Sequence, residues 1–380
     1  MKRNMNKITY LTGTACVLAA LFVILFNGCC EKTSGPNIPD STFTQKVEKI
    51  LNDNLALYEV NGVTAFVRNT DGEICNIGAG LADVENDIPM LADTKMRIAS
   101  ISKTFLATVV LQLWEEGMLE IDNLMSQYLP DSTVALFPYG DQVTLRQLLN
   151  HTSGIYDFED EEFIYILFSD PLYPWTPFEL LYYAAHATES FHYQPGTLFS
   201  YSNTNYILLG LIVESVTGIS MEQNIRDRIL DPLNLENTYS GNEGIPQDNY
   251  SKGYQPLDET TIYVVSDQTL PLYFEWAHGQ MVSSSEDLWT FLNALLIGDL
   301  FDEQATLNAM LAFIPISNFS YGLGILNFGE EIGFGHTGGT LGFFSYAMIN
   351  PTTGTALILI YNTYNTEFMG AAGNAIFGIM

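Results

Sequence analysis

Apolar residues recur every three or four positions along the segment from Arg97 to Gly117. This spacing is typical of an amphipathic helix packed into a core. The middle of the chain, from Ser100 to about Leu300, consists mainly of such helical patterns and of loops. Further helices are predicted to begin near Phe43, Thr144, Pro177, Thr204, Ser220 and Thr366.

Alternating or continuous apolar runs predict β-strands near both ends of the chain. Near the start, two runs flank the turn signal Asn69–Gly72, a pattern typical of a β-hairpin. Near the end, four runs between Tyr321 and Asn362 predict an antiparallel meander. The fold class is therefore α/β in an α+β arrangement, with an antiparallel sheet built from both chain ends, flanking helices and a large inserted helical lobe at about 100–275.

The first 28 residues have the pattern of an export signal, because three basic residues precede an apolar run from Ile8 to Phe26. The Gly28-Cys29 pair at the end of this run resembles a bacterial lipoprotein cleavage site, which makes Cys29 the expected lipidated residue. The alternative is an uncleaved single-span anchor, for which about 20 apolar residues suffice. Either alternative places the protein in the bacterial cell envelope, attached to a membrane through its N-terminal lipid or signal anchor.

These patterns divide the chain into a signal peptide over 1–28, a tether over 29–44 and one domain over 45–380. The tether is polar and contains two prolines, which suits it to hold a domain away from a membrane surface. Beyond the signal and the Cys29-Cys30 pair only Cys75 remains, so no disulfide framework is available. We expect Cys75 to be a small buried apolar residue.

The strongly negative charge of the chain makes nucleic acid an unexpected partner. The formal net charge is −30, and it becomes −33 once the three cations of the signal are removed. A surface of this sign repels phosphate backbones. The basic residues are also unevenly placed, since no lysine or arginine follows Lys252.

A serine and a lysine, Ser100 and Lys103, lie three residues apart at the start of the helix first described, where they share one face. A serine hydroxyl is a poor nucleophile until a neighbouring base takes its proton. Lysine can be that base when desolvation or nearby positive charge lowers its pKa, and a buried helix start provides such a setting. The alternative is a helix that merely contains both residue types, so other parts of the chain must decide.

The segment Tyr201–Asn203 ends a loop and precedes a predicted helix, which Asn203 or Thr204 can cap. A tyrosine in this position can project into a cleft. A lysine ammonium nearby favours its phenolate form, which would let Tyr201 carry a proton between Ser100 and a leaving group. Taken alone, the tyrosine is also consistent with a structural role.

Four residues on a late predicted strand, His336, Thr337, Gly338 and Gly339, form a second wall for such a cleft. The missing side chains of the glycines let a substrate backbone approach closely. The amide of Gly339, together with that of Ser100, could form an oxyanion hole. A lone histidine on a strand is also consistent with packing.

The three segments SISK, YSN and HTG, in this order, resemble the motifs of the serine β-lactamase and penicillin-binding-protein superfamily. The similarity is to the branch of class C β-lactamases, D-alanyl-D-alanine carboxypeptidases and related esterases. The segments LLNHTSGI, PGTLFSYSNTNYILLG and MVSSSEDLWTFL look like the supporting segments of that family, so the resemblance covers roughly residues 45–365. It implies a β-lactamase-like fold and an acyl-enzyme mechanism with no cofactor and no metal.

The resemblance also implies roles for individual residues. Ser100 looks like the acylated nucleophile, Lys103 its base, and Tyr201 the second proton carrier. Asn203 looks like a polar group in contact with substrate and lysine. His336 matches the first position of the third motif, and the remaining substrate-binding positions of this motif are Thr337, Gly338 and Gly339.

The third motif has no lysine, and this departure bears on the substrate. Lactamases and carboxypeptidases hold a substrate carboxylate with a lysine or a nearby arginine on this side of the cleft. After Lys252 only His278 and His336 remain as possible cations, and only His336 lies in a motif. Histidine is largely neutral above its ordinary pKa of about 6.5. We therefore expect a preference for substrates without a carboxylate, and recruitment of His336 as a cation when the pH falls toward about 6.

Five carboxylates lie within the segment DFEDEEF at 157–163. One interpretation is a solvated loop. The other is a negatively charged rim of the pocket. A metal site is disfavoured because no His or Cys is interleaved with the carboxylates and their spacing is not that of a calcium loop.

The first hypothesis is therefore a serine hydrolase that acts through an acyl-enzyme on small-molecule esters or small amides. The second keeps the fold and assigns β-lactams or peptidoglycan peptides as substrates. The third is a non-catalytic binding protein on the same scaffold, which the intact SISK and YSN segments disfavour. The sequence does not define the oligomeric state.

Overall fold

A computed structural model describes residues 42–187, 193–241, 248–256, 261–266 and 273–380. The expected signal peptide, Cys29 and most of the tether lie outside these residues. Within the described ranges, no single helix is long and apolar enough to cross a membrane. The helices Asn203–Thr217 and Met221–Leu230, which meet at an angle of 80°, are long and apolar enough only when taken together.

The strands include all four segments expected near the chain end, but the one expected from Tyr321 is interrupted. In chain order they are β1 (Gly62–Arg68), β2 (Ile74–Asp83), β3 (Ile88–Pro89), β4 (Met96–Arg97), β5 (Gly253–Pro256), β6 (Ile262–Val265), β7 (Val282–Ser283), β8 (Ile314–Ile316), β9 (Phe319–Tyr321), β10 (Leu326–Asn327), β11 (Phe334–Thr340), β12 (Phe343–Ile349) and β13 (Ala356–Tyr361).

The helices occur where the apolar spacing predicts them, with several shorter ones in addition. They are α1 (Phe43–Leu57), α2 (Ser102–Glu115), α3 (Asp131–Val134), α4 (Leu145–Leu149), α5 (Glu161–Ser169), α6 (Pro177–His186), α7 (Asn203–Thr217), α8 (Met221–Ile225), α9 (Trp276–Gly279), α10 (Ser285–Ile297), α11 (Gln304–Met310) and α12 (Thr366–Phe377). A π-helical turn, Arg226–Leu230, continues α8.

The main sheet joins the two ends of the chain, as the sequence predicts. Its nine strands have the order β3-β2-β1-β13-β12-β11-β10-β9-β8, and neighbouring strands are antiparallel. The central pairing sets β1 beside β13, with Val63 opposite Tyr361. The fold class is therefore confirmed, and β11, which carries the HTGG run, lies two strands from β13 within the sheet.

The sheet is covered on both faces. Strand β1 directs Val63 and Ala65 into a core shared with α1 and α12, whereas Phe66 belongs to the larger core of the helical region. This alternation follows from the two-residue side-chain period of a strand. Cys75, on β2, is 1% exposed and its pKa is raised by burial, as expected of a buried apolar residue.

Short strands also occur inside the inserted region and at its borders, where the apolar patterns predict mainly helices and loops. Strand β4 pairs with β7, and β5 pairs with β6. The first pair joins the segment before Ser100 to the segment after α9, with Arg97 opposite Val282. Two residues on each side are too few to produce a recognisable apolar alternation.

The run from Tyr321 to Phe328 is not the continuous strand that its apolar residues predict. Strand β9 ends at Tyr321 and β10 contains only Leu326–Asn327. Between them Gly324 has a left-handed backbone (φ +76°) and its carbonyl accepts a hydrogen bond of 2.8 Å from Thr104 Oγ1. The turn therefore packs against the first turn of α2, and this tertiary contact overrides the local strand pattern.

Candidate active site

Ser100 lies in a short 3-10 turn, Ala99–Ile101, that leads directly into α2. Ala99 has a left-handed backbone (φ 46°), a conformation that costs a non-glycine residue roughly 1–2 kcal/mol. The turn is held by Ile98, whose amide donates to the Met281 carbonyl (3.0 Å) and whose carbonyl accepts from Ser345 Oγ (2.8 Å). The nucleophile candidate is thus presented by a constrained backbone, with 7% of its surface exposed.

Lys103 is fully buried and contacts Ser100, as the three-residue spacing predicts. Its Nζ lies 2.9 Å from Ser100 Oγ and donates to the His278 carbonyl at 2.8 Å. The aliphatic stem is enclosed by the core and only the amine reaches polar atoms. This places a base within proton-transfer distance of a hydroxyl.

Burial lowers the pKa of Lys103 to about 7, because a charged ammonium loses its hydration there. Negative charge on Glu159, Asp157 and Glu275 acts in the opposite direction and raises the pKa. Desolvation is the larger effect. A substantial fraction of Lys103 is therefore an uncharged amine near neutral pH, which is the form that accepts a proton.

Tyr201 faces the same amine. Lys103 Nζ is 5.1 Å from the centre of its ring, and the ring stacks on His151 with centroids 4.1 Å apart. The Tyr201 hydroxyl is buried and makes no regular hydrogen bond within the described part of the chain. The Ser100 hydroxyl is its neighbour in the site.

The expectation that the lysine favours a resident phenolate at Tyr201 is wrong. Burial raises the pKa of Tyr201 well above its ordinary value, and the neighbouring Ser100 hydroxyl lowers it by less. With Lys103 partly neutral, too little positive charge is present to offset the desolvation of a phenolate. In the resting protein Tyr201 is thus a neutral phenol.

Asn203 is joined to the acidic segment rather than to solvent. Its amide Nδ2 donates to Glu159 Oε2 at 3.0 Å and to Asp157 Oδ2 at 3.3 Å. Its backbone N–H donates to Asp157 Oδ1 at 3.0 Å. The predicted cap of α7 by Asn203 or Thr204 is wrong: Ser202 is the N-cap, and Asp157, remote in sequence, satisfies the first backbone amide.

The carboxylates of the acidic segment lie in two different environments, and the pocket-rim interpretation stays a prediction. Glu161 and Glu162 are exposed and lie in the first turn of α5, where negative charge is favourable. Asp157 and Glu159 instead lie beside Asn203, and the solvated interpretation is wrong for them. Burial raises the pKa of Asp157 to about 6 and that of Glu159 well above its ordinary value.

His278 closes the site behind the lysine. It is 3% exposed, its Nε2 lies 3.1 Å from the Phe274 carbonyl and 3.4 Å from Glu159 Oε1. Burial lowers the pKa of His278 well below its ordinary value, and Lys103 lowers it further. The imidazole of His278 is therefore neutral near pH 7, and His278 is no cation for a substrate.

His336 is buried on β11 and both of its ring nitrogens have partners. Nε2 lies 3.0 Å from Tyr321 Oη, and Nδ1 lies 2.5 Å from the Thr337 carbonyl. Burial lowers the pKa of His336 to about 3. The expected recruitment of His336 as a cation near pH 6 is therefore wrong, because desolvation disfavours the imidazolium.

The edge of β11 faces the nucleophile. Strand β10 pairs only with Phe334 and Gly335, so the following residues of β11 have no strand neighbour on that side in the described structure. At Gly338 a Cβ atom would clash with the Ile98 carbonyl, which explains the glycine. The expected role of the Gly339 amide in the oxyanion hole stays a prediction.

Two residues that the sequence reasoning left without a role, Arg97 and Glu275, lie beside the site. Arg97 is 1% exposed, and Glu275 is 2% exposed. Burial raises the pKa of Glu275 to about 7, while the charges of Arg97 and, to a smaller extent, Lys103 lower it. In the sequence, the position of Arg97 three residues before Ser100 was the signal that could have placed Arg97 near the site. Within the described ranges, no group of three or more His, Cys, Asp or Glu side chains is arranged to hold a metal ion.

A comparison with protein families shows which family the chain belongs to. The family model described as Beta-lactamase matches residues 43–377. The chain belongs to the beta-lactamase family. Among solved structures, the chain is similar to a D-stereospecific amidohydrolase from Streptomyces sp. The two are 30% identical, with a TM-score of 0.75, and the match covers 89% of this chain and 99% of that one.

The chain is also similar to a second solved structure and to a curated protein. The D-amino acid amidase from Ochrobactrum anthropi SV3, in complex with L-phenylalanine amide, is 30% identical, with a TM-score of 0.76 and coverage of 89% of this chain and 99% of that one. Protein flp of Staphylococcus aureus (strain MW2) is 26% identical over 329 residues, or 86% of this chain. The match spans only 64% of the length of that curated relative.

Proposed function

We propose that this protein is a serine hydrolase that cleaves esters or small amides through an acyl-enzyme on Ser100. The observation that carries the proposal is the fully buried Lys103, whose pKa lies at about 7 and whose Nζ is 2.9 Å from Ser100 Oγ. A lysine with a purely structural role has no need of an uncharged amine beside a serine hydroxyl. A general base does need it, because only the uncharged amine can accept the serine proton.

In the proposed reaction the neutral Lys103 amine takes the proton of Ser100 Oγ as this oxygen attacks the substrate carbonyl carbon. The amides of Ser100 and Gly339 would stabilise the tetrahedral oxyanion. Tyr201, a neutral phenol facing Lys103, passes a proton to the leaving alcohol or amine, and the C–O or C–N bond breaks. The Lys103 ammonium then gives its proton to Tyr201, which restores the neutral amine and the phenol. Water attacks the acyl carbon and loses a proton to the Lys103 amine; the bond from that carbon to Ser100 Oγ breaks, Oγ takes up this proton, and the acid is released. No cofactor enters this scheme.

The charges around Lys103 favour an acyl group without a carboxylate. Asp157 is partly accessible beside Asn203, and its carboxyl ionises at about pH 6. A like charge within ~4 Å of Asp157 costs from about 1 kcal/mol in water to about 4 kcal/mol at an effective dielectric constant of 20. Neither His278 nor His336 offers a compensating cation.

The same carboxylate favours one narrower substrate class, amides of amino acids with a free ammonium group. An ammonium near Asp157 would gain what a carboxylate loses. The similarity at 30% identity to a D-amino acid amidase is consistent with this class. The competing assignment is a β-lactamase or D,D-carboxypeptidase, whose substrates bear a carboxylate.

A substrate panel tests the proposal through charge. We expect kcat/KM for neutral esters, or for amino acid amides, to exceed that for a chromogenic cephalosporin or a D-alanyl peptide by at least about tenfold, which corresponds to roughly 1.4 kcal/mol. Added salt should narrow the ratio by screening. Lowering the pH through about 6 should narrow it too, since Asp157 then loses its charge.

The Asp157→Asn variant should reproduce this narrowing at a pH above 7, because asparagine keeps an acceptor for the Asn203 amide but carries no charge. Glu162→Gln is the matched control, as Glu162 is exposed in the same segment. Faster hydrolysis of the carboxylate-bearing substrates by the unmodified protein at low salt would instead establish the competing assignment.

Replacing Tyr201 by phenylalanine should lower kcat/KM by a factor of about 10² to 10⁴, the usual size of a general acid–base contribution. The ring and its stacking on His151 remain, so the unfolding temperature should change little. Steady-state kinetics and thermal unfolding measured side by side check this. Full activity in Tyr201→Phe would return Tyr201 to a structural role.

A further inference from the structure

Three buried side chains connect the Tyr201 loop to β11. His151 Nε2 lies 3.2 Å from Tyr321 Oη, and the same hydroxyl lies 3.0 Å from His336 Nε2. All three side chains are at most 1% exposed. We call His151, Tyr321 and His336 the His-Tyr-His bridge.

The hydrogen bonds at the ends of the bridge determine where its protons lie. His151 Nδ1 lies 3.1 Å from the Ser202 backbone nitrogen, and that N–H can only donate. Nδ1 of His151 is therefore an acceptor, so Nε2 carries the ring proton and donates to Tyr321 Oη. The Asn205 amide Nδ2, 3.3 Å from the same Nδ1, is consistent with this assignment because Asn205 Oδ1 already accepts from Ser153 Oγ.

The other end gives the opposite tautomer. His336 Nδ1 lies 2.5 Å from the Thr337 carbonyl, which can only accept, so this nitrogen carries the ring proton. His336 Nε2 is then the acceptor for the Tyr321 hydroxyl proton. The bridge is thus an unbroken series of donors and acceptors running from the Ser202 amide to the Thr337 carbonyl, with both imidazoles neutral.

The bridge also fixes the position of Tyr201. The imidazole of His151 stacks on the Tyr201 ring, with an interplanar angle of 28°. The His151 backbone has a left-handed conformation (φ 58°), and its carbonyl accepts from the Ser200 amide at 2.9 Å. The ring that supports Tyr201 is therefore held both by its backbone and by Tyr321.

We propose that the His-Tyr-His bridge is a positioning device that holds the Tyr201 phenol for proton transfer and ties the Tyr201 loop to β11 across the cleft. The inference rests on the proposed role of Tyr201. It also gives His336 a purpose other than substrate binding, since both of its nitrogens are used within the protein. The third-motif histidine then acts through Tyr321 and His151.

The protonation pattern is tested directly on the unmodified protein by NMR of ¹⁵N-histidine. We expect a His151 signal of the Nε2–H tautomer and a His336 signal of the Nδ1–H tautomer, assigned through contacts with the Tyr321 ring protons. Neither signal should titrate as the pH falls to about 6, an ordinary histidine pKa being about 6.5. A His336 signal that becomes doubly protonated there, or the reverse tautomers, would overturn the bridge whatever the catalytic results.

A double-mutant cycle tests the positioning role. Tyr321→Phe removes the central hydroxyl and should lower kcat/KM by about tenfold or more, through kcat rather than KM, as part of the acid–base contribution of Tyr201. In a Tyr201→Phe background the same change should cost less than about twofold, because the group being positioned is already absent. An equal loss in both backgrounds would reduce the bridge to a purely structural contact.

Tyr346→Phe is the matched control for Tyr321→Phe. Tyr346 is also fully buried in the main sheet, and its hydroxyl has no hydrogen-bond partner in the described structure. This control should keep kcat/KM within about twofold of the unmodified protein. If Tyr201→Phe loses activity but the effects of Tyr201→Phe and Tyr321→Phe on kcat/KM are additive, the positioning role of the bridge is rejected and the proposed hydrolase activity is retained. If Tyr201→Phe keeps full activity, the proton-carrier role of Tyr201 is itself rejected.

Discussion

Replacing Ser100 by alanine is expected to abolish the covalent adduct that the protein forms with a fluorophosphonate, together with its hydrolytic activity. The reason is the loss of the hydroxyl that is hydrogen-bonded to the buried Lys103 amine. The missing hydroxyl leaves a small gap, and Lys103 keeps its bond to the His278 carbonyl. Intact-protein mass spectrometry, with and without the reagent, measures the adduct.

Ser285→Ala is the matched control for this experiment. Ser285 is fully buried at the first position of α10, and its hydroxyl has no hydrogen-bond partner in the described residues. The control should be labelled as fast as the unmodified protein. An adduct that persists in Ser100→Ala would show that a different residue is the nucleophile, and the acyl-enzyme proposal would have to be abandoned.

Replacing Lys103 by methionine should lower kcat/KM for an ester by about 10⁴ or more. The nucleophile and its base act together, so Ser100 cannot be activated once the base is removed. Methionine is apolar and similar in length, so the space occupied by the lysine stem stays filled. The protein should therefore remain folded, as circular dichroism and thermal unfolding can establish. Lys49→Met, on the exposed face of α1, is the control for the substitution itself.

The pH profile links this loss to the base. Lys103 accepts a proton only as the neutral amine, and its pKa is about 7, so kcat/KM of the unmodified protein should rise as the pH increases through about 7. Any residual activity of Lys103→Met should lack that inflection. If the inflection persisted in the variant, another group would be the base.

Local patterns predicted the elements that lie at the two ends of the chain. The apolar spacing predicted α1 and α12, and the turn signal at 69–72 predicted the β1–β2 hairpin, because helix and hairpin signals depend on residues a few positions apart. The same locality explains the Ser100–Lys103 contact, since residues three apart on a helical turn lie on one face.

Predictions that depend on distant partners were wrong or incomplete. Asp157 was assigned to either solvent or the pocket rim, and its carboxylate in fact caps α7 through the Asn203 amide, 46 residues away in sequence. His336 was expected to become a cation as the pH falls toward about 6, and burial beside the Tyr321 hydroxyl keeps it neutral there. Neither partner can be read from the residues adjacent in sequence.

The class of the fold, its split sheet and the pairing of a serine with a lysine follow from periodicity and short spacing, so they could be predicted from the sequence. The protonation of the site depends on the tertiary structure. Lys103, Tyr201 and His336 owe their shifted pKa values mainly to desolvation. Desolvation depends on which atoms from the whole chain exclude water around a group, and no local pattern records that.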